Sequence, residues 1–512
     1  MFRSDNIPTA RWYGLAVLLF TFAVFAFVPA NDPDFGWHLA AGKYYIEELS
    51  LPDRDIFSHT MPSYRWVNHE YLTDAVVYIL YRAGGNTTIV LSLAFVALAA
   101  VIYLILLPRA FSRRVGFDER LLIGLSALFM TWPFFGPRPQ VVDWAGVILV
   151  YLIWTRFEKT RASRGLLWCV PLFLVWANLH GGFPFGFFIL ALLMMFYLSE
   201  DIISKKETYK HNFSFMQWWQ TKNVLVIWFL AIVVLSAAAT LVNPYGYELH
   251  KDIWRMSRES SILREYVTEW KPAAITSLAT LPFFSYVILL LLFVMSDVKS
   301  SKSSLRTAPF VVMLLVLALS TMRFIPFFVF LSLPLMDRYF ARNKLFIPGI
   351  TAIIFAAFLV SLAYAYRLNA AATLVTHPSA AYSERSTQPL VWQRDFFYGQ
   401  APSRAIEFLK TQRVNRLFNE HDWGGTLLWA MPDTPVFIDG RMPFWKEGER
   451  HIMRDYVTIS MAQPGWFDKV QEYDIRVFLI RASSPLAGNL QLQPQLWHKR
   501  YDDGYATIFE RK

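Results

Sequence analysis

Charge is what this chain has least of: Asp, Glu, Lys and Arg make up only 17% of its 512 residues, against 55% hydrophobic. Soluble domains usually carry about a quarter charged residues, so an ordinary soluble fold is excluded. Cysteine is almost absent. The lone Cys169 rules out an intramolecular disulfide and a Cys-built zinc cluster, and no His-Glu-x-x-His signature occurs. There is no internal repeat. The net charge of +10 would suggest nucleic acid in a soluble chain, but here the basic residues crowd one set of loops, and no nucleic-acid partner is expected.

What is present instead is a series of apolar runs of membrane-spanning length. About eleven are expected, near 12–30, 87–107, 121–135, 141–155, 166–180, 185–198, 224–242, 281–297, 308–322, 324–340 and 345–366. Arg3 and Arg11 precede the first, which reads as an uncleaved anchor with a cytoplasmic N-terminus; a signal sequence cut near Ala30 is the alternative. Alternate loops then collect the basic residues: Arg109, Arg113 and Arg114; Arg156, Lys159 and Arg161; Lys205 and Lys206; Lys299 and Lys302; Arg338, Arg342 and Lys344. This is the positive-inside pattern, and an odd number of spans places the tail outside. The expected fold is a polytopic α-helical protein of the inner membrane over residues 1–366. A C-terminal extracytoplasmic α/β domain follows over 367–512. In it, Ser403 to Thr411 reads as a helix and Val436 to Ile438, Val477 to Ile480 and Thr507 to Glu510 as strands. Helical stretches are expected around Glu447 to Ser460 and Trp466 to Tyr473.

The first outer loop, 31–86, holds the chemistry. Asp32 before Pro33 is a helix-start signal, so Asp32 is expected as the N-cap of a helix to about Leu49. That leaves Asp34 without a structural task beyond compensating the helix dipole. A carboxylate so near hydrocarbon is a functional candidate. A second interfacial helix is expected from Asn68 to Gly84-Gly85, with an apolar stripe of Leu72, Val76, Ile79 and Leu80.

The topology gathers further polar groups at the same membrane face. Asp34, His38, Asp55, His69 and Glu70 come from the first loop, and Arg138 from Gly-Pro-Arg-Pro-Gln. Asn178 and His180 come from Ala-Asn-Leu-His-Gly-Gly, Glu269 and Trp270 from the loop after the seventh span, and Arg323 from a tight apolar turn. Arginine binds phosphate oxygens bidentately and Trp faces stack on sugars, so a lipid-phosphate-linked substrate suits the set. Competing readings exist for each. Arg138 and Arg323 can be snorkelling anchors, Asn178 and His180 can satisfy a helix end, and His69 and Glu70 can serve only their helix start. Asp34, His38 and His69 could hold a divalent ion such as Mg or Mn, though their spacing is not diagnostic.

DPDFGWHLAAGKYY (32–45), WVNHEYL (66–72), RPQ (138–140), WANLHGGF (176–183), NPYG (243–246) and EW (269–270) resemble a bacterial branch of the GT-C glycosyltransferase superfamily. That superfamily includes protein O-mannosyltransferases, aminoarabinose transferases and oligosaccharyltransferases. HDWGGTLLW (421–429) and VFIDGR (436–441) resemble the outer domain of that branch. HDWGG has a faint likeness to the tryptophan-aspartate motif with which oligosaccharyltransferases hold their acceptor.

The resemblance implies transfer of a sugar, with inversion, from a polyprenyl-phosphate or -diphosphate carrier to a lipid, glycan or protein acceptor at the outer face. Asp34 would then be the general base, Arg323 and Arg138 would stabilise the leaving phosphate, and Asp55, Glu70 or Glu269 would hold acceptor or metal. Trp423, Asp439 and Arg441 would lie toward the acceptor; for Asp439 and Arg441 an internal ion pair at a strand end is the competing reading. Two other functions share these features: a ligase or polymerase of lipid-linked polysaccharide, and a non-enzymatic transporter or assembly protein.

Overall fold

The computed structural model describes residues 32–106, 117–131, 134, 138–209, 214–298, 304–335, 347–376 and 401–512. The expected first span and many of the basic loop residues lie outside them. Within the described residues, each of the other ten apolar runs overlaps a helix. These are the second half of Tyr71–Leu106, then Phe117–Thr131, Val141–Thr160, Cys169–Leu179, Phe183–Tyr209, Phe215–Ala239, Leu281–Val298, Ser304–Ser320, Ile325–Leu335 and Ile347–Thr376. Among the described residues, Phe183–Lys206 and Phe215–Ala239 are long and apolar enough to cross a membrane by length and composition. Their exposed faces carry Phe188, Val224, Ile227, Leu230 and Val234, as a surface against hydrocarbon would. Aromatic side chains fill the interior between the helices. Trp154, Phe157, Phe173, Trp176, Phe283 and Phe328 are fully buried in one continuous apolar core.

A second core lies outside this body, and its membership cuts across the expected 1–366 and 367–512 division. Trp37, Tyr45, Tyr64 and Trp66 of the first loop share it with Phe418, Phe437, Trp445, Ile480 and Phe509 of the C-terminal part. The C-terminal part carries a four-stranded sheet in the order Leu417–Asn419, Val477–Arg481, Ala506–Arg511, Trp497–Asp502; the first pair is parallel and the others antiparallel. Helices Ser403–Lys410, Ile452–Ser460 and Trp466–Glu472 stand where they are expected.

The segment Val436 to Ile438 is not a ladder strand. It is held between the sheet and the first loop: Val436 N donates to Phe57 O at 3.0 Å and His59 N to Val436 O at 3.1 Å. On its other side, Asn419 bonds Phe437 N and Ile438 O at 2.8 Å each. Fully buried backbone must find partners. Here the first loop supplies part of them, so loop and sheet are stitched together.

The helix after Asp32 runs Phe35–Glu48 and begins two residues later than expected. Asp32 does not cap it from the N-cap position; its Oδ1 accepts from Asp34 N at 2.9 Å, in a turn one step upstream. This helix docks on Gly424–Ala430 by backbone contact, because a Cβ on Gly36 would collide with Gly425 O and one on Gly425 with Pro33 O. Of the paired glycines of HDWGG, Gly425 therefore serves close approach to the first loop, and Gly424 close approach to the backbone at Ile438 and Asp439. The second loop helix breaks where expected, at Gly84 (φ −163°) and Gly85 (φ 60°).

Candidate active site

Between the two cores lies a cavity of about 300 Å³, at the lower end of the range for ligand pockets. Its body side is lined by Phe185, Phe324 and Phe327 beside Arg138, Glu269, Trp270 and Arg323; its outer side by Trp37, Tyr64, Trp66, Phe444 and Trp445. Asp34 lines it as well, at the start of the Phe35–Glu48 helix.

Among the described residues six carboxylates face this space, and five are engaged. Asp32 pairs with Arg138. Glu269 sits between two arginines, bonded by Arg138 and lying 3.3 Å from Arg323 Nη1. Glu70 Oε1 is 2.9 Å from His180 Nε2 and 3.4 Å from His69 Nε2. Asp143 is 2.7 Å from His180 Nδ1 and accepts from Trp176 Nε1 at 2.8 Å. Asp252 pairs with Arg255. Asp34 is the sixth, and among the described residues its carboxylate has no ion pair or hydrogen bond within the protein. Its Oδ1 lies directly over Gly440, where a Cβ would collide with it.

Electrostatics separate these acids. Enclosure by protein and the neighbouring Asp32 carboxylate push Asp34 up to about 7, against the pull of Arg138 and His38. Burial alone would raise Glu70, but His180 and His69 hold it well below the usual carboxylate range. Glu269 goes the same way: burial opposes ionisation, and Arg323 and Arg138 overcome it. Burial opposes protonation of His38, yet Asp74, 2.7 Å from its Nδ1, and Glu70 raise it to about 9. One acid near neutrality beside Glu70 and Glu269, which their cationic neighbours hold ionised, is the arrangement of a proton acceptor in a charged site.

The positions of these groups follow from the body. Trp176, fully buried, fixes Asp143 through its indole N–H. Asp143 fixes His180 just past the end of Cys169–Leu179, and His180 reaches Glu70. Arg138 is held at the start of Val141–Thr160, and Arg323 lies 5.2 Å from the Trp270 ring centroid.

Most of the expected residues are gathered here: Asp34, His38, His69, Glu70, Arg138, His180, Glu269, Trp270, Arg323 and Arg441 all line the cavity. Four others do not. Asp55 is buried in an ion pair with Arg441 at 2.9 Å and accepts from the backbone of Phe57 and Ser58, so it is structural and not catalytic. Asp439 holds the same guanidinium at 2.6 Å; with both acids on it, Arg441 is a buried clamp and not a free acceptor-binding cation. Trp423 is fully buried beside Tyr505 and Arg481, away from the cavity. Asn178 accepts from Tyr71 and bonds Leu174 O and Val242 O, tying helix ends together.

The set Asp34, His38 and His69 is not assembled as an ion site. Instead His38, Glu70 and Asp74 place ligand atoms within 4.8 Å of one another. The Asp74 carboxylate is already bonded by His38 and by Asn68 Nδ2, each at 2.7 Å. This set holds itself together as an ion-pair network, and a metal would have to displace the His38 proton.

Sequence reasoning missed Asp143, Asp74, Asp252 and the aromatic outer wall. An Asp in the first turn of an expected span was the available signal for Asp143. Asp74 is four residues past Glu70 on one helix face. Gly440 carries no signal of its own.

No family model matches the chain, and no curated protein matches its sequence. Solved structures do. The archaeal oligosaccharyltransferase AglB from Archaeoglobus fulgidus, in complex with an inhibitory peptide and a dolichol-phosphate, aligns at a TM-score of 0.51 and 13% identity over 98% of this chain and 74% of that one. The apo form of the oligosaccharyltransferase from the same organism aligns at 0.50 and 11% identity, over 93% and 70%. ArnT from Cupriavidus metallidurans in the apo state aligns at 0.49 with 10% identity, over 99% and 98%. The oligosaccharyltransferase likeness shows the fold: this chain has a GT-C-type architecture.

Proposed function

We propose that this protein is a membrane-embedded glycosyltransferase that moves a sugar from a polyprenyl-phosphate or -diphosphate carrier to an acceptor hydroxyl at the outer face. About eleven helices would span the bilayer, with the first loop and the sheet-bearing C-terminal part outside. The observation that carries this reading is the free Asp34 carboxylate, alone among six cavity acids in having no partner, in a space shared with Arg138 and Arg323.

In the reaction, the acceptor oxygen attacks the anomeric carbon from the face opposite the phosphate. The new C–O bond forms as the bond to the phosphate oxygen breaks and the phosphate leaves with the electron pair. Asp34 takes the acceptor's proton. A base near pH 7 is tuned for this. Arg323 is the better placed cation for the leaving phosphate, because Arg138 already answers to both Asp32 and Glu269. Phe185, Phe324 and Phe327 on that side suit the carrier's apolar chain. AglB, whose fold is shared, is solved with dolichol-phosphate, a carrier of the same chemical kind.

The test is sugar transfer from a radiolabelled carrier lipid by the full-length chain in detergent. Asp34→Asn should lower turnover about 10²–10⁴-fold, and full turnover in that variant would remove Asp34 as the base. Mass spectrometry of co-purifying lipids should find a polyprenyl-phosphate sugar in the wild type and less of it in Arg323→Ala.

A further inference from the structure

Two side chains of the outer wall carry polar atoms that have no partner among the described residues. Trp37 Nε1 and Tyr64 Oη are buried without a hydrogen-bond partner, on side chains 7% and 4% exposed. Leaving a buried donor unpaired is costly, and both side chains line the cavity. Around them the wall is aromatic and rigid. Tyr64 stacks on Trp445 with centroids 4.3 Å apart and planes at 15°, and Arg441 is fixed 4.5 Å from the Trp66 ring centroid. Asp252 adds an acceptor to the same lining.

We infer that this wall is a saccharide subsite, and that the acceptor of the proposed reaction is itself a glycan, bound by Trp37, Tyr64 and Trp445, with Asp252, also paired with Arg255, accepting a hydrogen bond from a hydroxyl. The inference rests on the glycosyltransferase reading and names its acceptor class.

The chemistry favours a sugar over a peptide. A pyranose ring offers an apolar C–H face to aromatic rings and hydroxyls that both donate and accept. The wall offers that mixture: an indole that can only donate, a phenol that does both, and a carboxylate that accepts. A peptide in extended form would call for backbone partners along a strand edge. The two features carried by this wall are ring faces and isolated polar tips. The division of labour also fits the geometry. The cations and Phe324 and Phe327 stand on the body side, and Asp34 lies where the first-loop helix meets Gly440 of the outer wall. An acceptor on the aromatic side would bring its hydroxyl to Asp34 from the side opposite the phosphate.

The experiment is ligand-observed saturation-transfer NMR on the full-length protein in detergent. The probes are maltose, cellobiose and chitobiose, with a Ser/Thr-containing hexapeptide as the competing class. At least one disaccharide should receive saturation. Tyr64→Phe should weaken its binding about two- to tenfold, the effect of one lost hydrogen bond, and Trp37→Phe should do the same. Tyr64→Phe should leave the melting temperature unchanged or raised, since the hydroxyl has no partner in the protein to lose. Absence of disaccharide binding, disaccharide binding insensitive to both variants, or Tyr64-dependent binding of the hexapeptide alone would overturn the inference. Release of labelled sugar from carrier lipid to water is measured in parallel on wild type and Asp34→Asn. Asp34-dependent release without disaccharide binding sinks the glycan acceptor and leaves the transferase reading standing. Disaccharide binding with no release or transfer leaves the saccharide-binding wall standing but overturns the transferase reading, and with it the acceptor role.

Discussion

The two walls of the cavity are built by different physics. The body wall is a ring of helix ends over a deep apolar core, and nearly all its polar groups are charges paired with one another: Arg138 with Asp32 and Glu269, His180 with Asp143 and Glu70. The outer wall is a packed aromatic surface in which the Arg441 guanidinium is locked between Asp55 and Asp439. Charge is spread and poised on one side; on the other it is spent on rigidity. The difference teaches where each task belongs. A wall of adjustable charges can stabilise a changing distribution during bond breaking, whereas a stiff wall of ring faces can hold a neutral polyol in one pose.

The contrast can be broken in graded ways. The largest structural effect is expected from Asp55→Ala, which leaves Arg441 buried with half its neutralisation. Breaking such a pair costs about 3–5 kcal/mol, so a calorimetric scan should show a marked drop in melting temperature. An unchanged scan would mean that the clamp does not hold the outer wall.

Gly440→Ala should act on rate more than on stability. The new methyl must push the Asp34 carboxylate aside, and a displacement of about 1 Å can cost about 10²-fold in turnover. Carrier-lipid binding should persist in that variant, because the cations lie on the other wall.

The smallest effects are those of pH. Asp34 is raised to about 7 and must be ionised to act, so transfer should climb through pH 6–8 and level off above it. Its raised value also means that ionised Asp34 works against folding. The stability it contributes is present below its ordinary 3.8 and lost as pH rises through about 7. Asp34→Asn should therefore gain a few degrees in melting temperature at pH 8. His38 is raised from 6.5 to about 9, so its contribution is complete below 6.5 and is lost as pH rises through about 9. Wild-type melting measured from pH 7 to 10 should fall across that upper window.

The same two walls mark how far the chain could be read from its letters. Hydropathy runs are local, so the body helices, and with them Arg138, His180, Glu269 and Arg323 at their ends, were legible. So was Asp34, from its lack of any capping duty. Asp143 was passed over because it stands inside a run read as a span. The outer wall was hidden for a different reason: its joints connect residues 358 and 386 positions apart, His59 to Leu417 and Asp55 to Arg441. No periodicity in a short window reports such a pairing. The resemblance of HDWGG to an acceptor motif pointed to Trp423, while the structure uses Gly425 for contact with the first-loop helix and Gly424 for contact with Ile438 and Asp439.

The stitching of residues 57–60 to 436–437 also has a temporal side. During synthesis the first loop is made early and must wait, with its half of those backbone bonds open, until the last quarter of the chain arrives. Gly440 comes from that late segment and is the residue against which the Asp34 carboxylate rests. On the proposed reading, reactivity would therefore switch on only with the final folding step, and a chain stopped short of that segment would be inert.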